Sequence, residues 1–366
     1  MRGLIVLSIT LAITLTAGLQ RISTFAGAEN AETIATNLSG FRAYRTPPEG
    51  FDPYSGSNSE LARYGLPARP EPSRQPVEYR VWQMLVDASQ YRVVPDFEIS
   101  KIYHPPIRGF KAGKKPGKVN GRVAPTPSTS TNWSGFVIND SNNFFNSVGS
   151  VSAFFNVPAV TDCTVFGPRQ WSSDWVGVDG FVGSSDVFQA GTSSDADCGA
   201  GPGNHSLYYA WVEWFPNPVI LLNRNFPIVP GDSMSVTVVT NPPQNLYVLT
   251  LFNYSRHTSV SIPMAPPPGV KLVGNSIEWV VERPTVNGVE SILAPYSRSG
   301  WQTMIGYYVQ GQAQYRPSLA PTGTSYIVTM TDPQGNNLST PTLYPGPIDD
   351  TGWFATPLPY THGQNP

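Results

Sequence analysis

The sequence predicts an all-β protein, an antiparallel β-sandwich in preference to a barrel. Two observations point there. After about residue 130 the chain is a succession of short alternating apolar and polar stretches, broken by Gly, Pro, Asn and Asp and without a convincing helical period. Charged residues are only 13% of the 366, whereas aromatic residues reach 12% and Gly and Pro number 33 and 37, a composition of strands and turns. The 40% apolar content is enough for a sizeable core in one large domain or two.

The first residues read as a secretory signal. Arg2 precedes an apolar run from Leu4 to Leu19, and the small residues Ala26-Gly27-Ala28 offer a cleavage site, so residues 1–28 are expected to be removed and the protein secreted to the extracellular space. The run is short for a bilayer span, and an uncleaved anchor is the alternative. No later stretch is long and apolar enough to span, so no membrane association is expected after cleavage.

Residues 29–128 read as a prosegment ending in a basic linker. They carry fourteen Lys and Arg against ten Asp and Glu, with little periodicity except at Val77–Val94, where Val81, Trp82, Leu85 and Ala88 would make one apolar helical face. The stretch from Lys101 to Ser128 reads as exposed linker. Residues 129–366 form the body, whose balance inverts to seven basic against fifteen acidic residues, a net charge of −8. A basic leader on an acidic body suggests an inhibitor held partly by charge; a solvated tether is the alternative. Such a body is a poor partner for nucleic acid, and a monomer is expected.

Clear alternation appears at Val148–Val157, Met234–Thr240 and Leu246–Tyr254. Further candidate strands are Trp133–Asn139, Trp175–Asp179, Asp186–Ala190, Leu207–Phe215, Met304–Tyr315 and Ser325–Thr331. In Asn275–Arg283, Ile277, Trp279 and Val281 share one face and Glu278, Val280 and Glu282 the other. The two acids stand roughly 13 Å apart along the strand, so each must find its partner elsewhere. In Tyr208–Phe215 the residues Tyr209, Trp211, Glu213 and Phe215 point together, and a Glu between aromatics has its pKa raised by burial. Gln189 alternates with a core-facing Phe188. Cys163 and Cys198 suggest one disulfide in an oxidising compartment, with two free thiols as the alternative. The four histidines have no ligand spacing, and no metal or other cofactor is expected. Trp301 and Trp353 read as packing, and Asp349–Pro366 as a surface or frayed tail.

The segments Asn132-Trp-Ser-Gly-Phe136, Phe155-Asn-Val-Pro158, Trp175-Val-Gly-Val-Asp-Gly180, Phe188-Gln-Ala-Gly191, Tyr209-Ala-Trp-Val-Glu-Trp-Phe-Pro216, Val229-Pro-Gly-Asp232 and Ile277-Glu-Trp-Val-Val-Glu282 stand in the order and rough spacing of the glutamic peptidases, the eqolisins. The chain resembles that family closely over about Thr131–Pro284 and loosely beyond. The resemblance implies a lectin-like sandwich of two large antiparallel sheets, a catalytic pair at Gln189 and Glu278, substrate-cleft residues at Trp133, Trp175, Trp211 and Glu213, and a further family acid at Glu282. Polypeptides would be the substrates. Tyr209 departs from the Asp of many members, and Ala-Gly-Thr-Ser after Gln189 replaces a Thr-Gly block with an Asp nearby.

Those residue types suit peptide hydrolysis. Glu278 as a carboxylate takes a proton from water and returns it to the leaving nitrogen. Gln189 offers an N–H donor that is neutral at every pH, so it can hold an oxyanion in acid. An acid-active secreted endopeptidase is the resulting expectation. Two rivals remain: a glycosidase using Glu213 and Glu278, which needs its carboxylates about 5 to 10 Å apart, and a lectin-like binding module in which Trp133, Trp175, Trp211 and Trp214 form a stacking platform.

Overall fold

The structure, a computed structural model, describes residues 30–119, 122–140, 149–160, 167–200, 202–203, 205–308, 313–320, 323–346 and 350–356. The expected signal, residues 1–28, lies outside the described residues, as does Cys163, the expected partner of the buried Cys198.

Two sheets face each other across one apolar interior. The first runs, in spatial order, Asp96–Ile99, Ile220–Asn223, Ser206–Phe215, Val187–Ala196, Ser173–Val178, Ser276–Glu282, Trp133–Asn139, Thr324–Thr331, Thr126–Ser130 and Lys111–Ala112. All its pairings are antiparallel except that of Thr126–Ser130 with Thr324–Thr331. The second runs Thr258–Pro263, Leu246–Asn253, Ser233–Asn241, Gly149–Asn156, Ser299–Tyr308, Asp350–Ala355 and Asn337–Pro345. Asn337–Pro345 also pairs with Thr324–Thr331, which stitches the sheets along one edge. This is the expected sandwich.

Strand alternation sorts the side chains. Phe136, Val151, Phe155, Val176, Phe188, Trp214, Leu249, Trp279 and Trp301 fill the space between the sheets, each almost wholly buried. The opposite face of the first sheet carries a separate apolar cluster that includes Trp133, Trp175, Trp211 and Val280 together with Ile102 from the leader.

The leader departs most from expectation. Its helix forms over Pro76–Ser89 with Val81, Trp82, Leu85 and Ala88 buried, and it stops short of Val94 because β-branched residues before Pro95 resist helix. The helix packs on the outer face of the second sheet, against Val239 and Val248. The stretch from Lys101 to Ser128, however, is not an exposed linker. Asp96–Ile99 pairs at one edge of the first sheet, Lys111–Ala112 at the other, and the residues between cross its outer face as a strap. His104 and Pro105 on that strap are buried. Lacking a period of its own, the strap finds its apolar surface on the sheet.

The expected boundary at residues 128 and 129 also falls inside a strand, Thr126–Ser130. The tail is likewise corrected: Asp350–Ala355 is a strand whose Phe354 packs on Phe136 and Trp301. Residues 357–366 lie outside the described ones.

Candidate active site

Register on the first sheet sets three rows of side chains on the face beneath the strap. In the first row Glu213 stands opposite Gln189, Gln189 opposite Gly177, and Gly177 opposite Glu278. In the next, Trp211, Gly191, Trp175 and Val280 stand side by side, and in the third come Tyr209, Ser193, Ser173, Glu282 and Trp133. Every expected site residue therefore lies on one face, across five neighbouring strands.

Gln189 and Glu278 are separated by one intervening strand, so their backbones stand roughly 10 Å apart and their side chains can lean together over Gly177. Glycine is required there. A Cβ at position 177 would lie 2.7 Å from Cζ3 of Trp175 and 3.2 Å from Cβ of Gln189, so only glycine lets the indole and the amide side chain pack this closely over the strand.

Hydrogen bonding fixes the Gln189 amide. Its Nε2 donates to Oε2 of Glu213 at 2.8 Å and to the carbonyl oxygen of His104 at 2.7 Å. Both partners are acceptors, so the amide must turn its NH2 end toward them. The backbone N–H of His104 in turn donates to Glu213, at 3.0 Å to Oε2. Neither carboxylate oxygen of Glu278 has a hydrogen-bond partner among the described residues, nor has Oε1 of Gln189.

Glu282 is differently placed. Its oxygens accept from Nε1 of Trp175 at 2.9 Å and from Nδ2 of Asn132 at 3.2 Å, so it orients the indole and the loop rather than facing open space. Trp133 meets Trp175 edge-on, ring centroids 5.0 Å apart.

Burial dominates the electrostatics of this face. It pushes the carboxyls of Glu213, Glu278 and Glu282 well above the ordinary range; the nearby Asp179 and Asp186 add to the effect on Glu278, and the Ser276 hydroxyl opposes it. Burial likewise pushes the His104 imidazole well below its usual value, so it is neutral.

Four participants escaped the sequence reading. His104 sits in a Pro-rich basic stretch with no periodicity, and only its long-range contacts reveal it. Ser173 and Ser193 are small polar residues among many. Gly177 had a legible signal, a glycine between two bulky residues on a strand, and the register supplied its meaning.

The sequence model described as the peptidase A4 family matches residues 131–344. No curated protein matches the sequence. Among solved structures, scytalido-glutamic peptidase with a transition state analog inhibitor is similar over 62% of this chain and 98% of its own, with 18% identity and a TM-score of 0.49. SCP-B, an eqolisin in complex with the tripeptide Ala-Ile-His, covers 62% and 98% with 18% identity and a TM-score of 0.45. Aspergilloglutamic peptidase from Aspergillus niger covers 51% and 99% with 20% identity and a TM-score of 0.42. The assignment rests on the sequence match, which spans more than half of the chain: the protein belongs to the peptidase A4 family, the eqolisins, and is a peptide-bond hydrolase.

Proposed function

We propose that the protein is a secreted, acid-active endopeptidase in which Glu278 activates water and Gln189 stabilises the oxyanion. The observation that carries this reading is the row Gln189–Gly177–Glu278, in which a neutral amide and a carboxyl without a close hydrogen-bond partner among the described residues stand on either side of a glycine. Glu213 supports it by accepting one Gln189 N–H, which fixes the amide and leaves its other N–H for an oxyanion. A carbonyl over Gly177 would meet the amide donor on one side and a water held by Glu278 on the other. Glu278 takes the proton of that water as it adds, and returns it to the nitrogen as the C–N bond breaks.

The leader accounts for latency. The strap covers the row and occupies the Gln189 N–H donor, so no other polypeptide reaches the dyad until the strap is cut or displaced. Removing the strap also lets water reach Glu278, which relieves the burial that pushes its carboxyl up and favours the carboxylate that acts as base. The glycosidase reading is not favoured. Glu213 and Glu278 are three strand spacings apart, roughly 14 Å between backbones, with Gln189 and Gly177 between them.

The test is hydrolysis of a denatured protein at about pH 4 in the presence of pepstatin. Glu278→Gln should lower kcat by about 10³-fold or more, and Gln189→Glu by at least about 10², each with an unchanged circular dichroism spectrum. Wild-type activity in either variant would remove the dyad.

A further inference from the structure

His104 is held as a substrate residue would be. Its backbone N–H is taken by Glu213, and its carbonyl oxygen rests 2.7 Å from the Gln189 nitrogen that the proposed mechanism reserves for the oxyanion. The side chain is seated too. Its imidazole stacks on Trp211 with centroids 3.8 Å apart and planes 8° from parallel. Nε2 lies 3.0 Å from the Ser173 hydroxyl, which lies 2.7 Å from that of Ser193. Main chain and side chain are thus gripped by the dyad row and by the two successive rows on one side of it.

We infer that the strap occupies the cleft as a pseudosubstrate, with His104–Pro105 in the place of the bond to be cut, and that the pocket of Trp211, Ser173 and Ser193 selects an imidazole or another flat ring on the residue before that bond. This rests on the dyad reading above and extends it to substrate class. Tyr209, which fills the third row beside Ser193, gives its hydroxyl to Asp195 at 2.7 Å.

The sequence after His104 explains why the bound segment is not consumed. Pro105 supplies the leaving nitrogen, and its ring locks φ; Pro106 restricts Pro105 in turn. With both its substituents tied into ring and chain, the nitrogen is hindered from the turn about the C–N bond that would present its lone pair to Glu278. With alanines at both positions the reaction would be ordinary hydrolysis. Water oxygen bonds to the His104 carbonyl carbon, its proton passes through Glu278 to the nitrogen of residue 105, and the C–N bond breaks. A carboxyl end at His104 and an amino end at residue 105 result, with no other reactant.

The full-length protein carrying Pro105→Ala and Pro106→Ala, held at about pH 4 and followed by mass spectrometry, tests this. The expected result is a fragment ending at His104, absent from the wild type and from the same variant carrying Glu278→Gln. Adding His104→Ala should slow that cut at least tenfold, and His104→Phe should restore it. If the alanine variant digests an added denatured protein through Glu278 yet is not cut after His104, this inference falls and the dyad stands. If no Glu278-dependent hydrolysis of either kind occurs, both fall. Should the variant fail to fold, wild-type protein is given a peptide of residues 100–110 with those two alanines. Cleavage after its histidine supports the inference, and cleavage only elsewhere, or none beside an active enzyme, overturns it.

Discussion

Gly177 is the smallest residue in the site and one of the least replaceable. A methyl group there meets the Trp175 ring at 2.7 Å and the Gln189 side chain at 3.2 Å, so either the amide or the indole must move. Displacing a catalytic donor by a fraction of an ångström to an ångström costs about a hundredfold in rate. Gly177→Ala should therefore lower kcat/KM by about that factor while the unfolding temperature changes little, which steady-state kinetics and calorimetry on one preparation would check. At this scale the sequence was partly readable. The placement of Glu278 and Glu282 opposite Trp279, and of Glu213 beside Trp211, followed from a period of two. Which glutamate lacks a close hydrogen-bond partner and which is tied to Trp175 and Asn132 did not, because that depends on neighbours more than a hundred residues away.

Strands with strong alternation were legible almost to the residue: Trp133–Asn139 and Leu246–Asn253 are where the pattern puts them. Thr126–Ser130 was not, since Thr-Pro-Ser-Thr-Ser has no apolar face and its partner lies some two hundred residues on. That strand nevertheless shields one side of Thr324–Thr331. A cut in the exposed stretch Gly113–Lys115 leaves it in place, whereas truncation to residue 131 bares a sheet edge. Loss of the strand should lower stability by about 2 kcal/mol, or about 4–8 °C in Tm for a body of this size, while a nick at 113–115 should not. Thermal unfolding of the two forms would distinguish them, and equal Tm values would deny the strand a structural role.

Over the whole molecule, the charge-poor composition becomes a dependence on pH. Burial raises Asp174 and Asp179 to about 7 and Asp195 to about 6. Asp174 lies in the interior beside Ser299 and Trp301, Asp179 accepts three backbone N–H groups from Val273, Gly274 and Asn275, and Asp195 is held by Arg169 and Tyr209. A carboxyl whose folded pKa exceeds its unfolded value of about 4 favours the fold when protonated. Its contribution is complete below about pH 4 and is lost as pH rises through about 6 to 7. Tm should be highest near pH 4 and decline toward neutrality, as calorimetry across that range would show; a rise over the same interval would contradict these assignments. The sequence displayed the scarcity of charge, but only the packing identifies which acids are sealed in.

The strap has one more consequence, which is mechanical. It leaves the sheet at Ile99 and rejoins it at Lys111 on the opposite edge. The nine inter-strand steps between those edges make roughly 43 Å along the sheet, and the twelve-residue span reaches at most about 43 Å when fully drawn out. A belt with so little slack can close only across a bowed sheet, as a string does across its bow. Lengthening it by a few residues would let the sheet flatten beneath it, so the length of the strap and the curvature of the cleft are one variable.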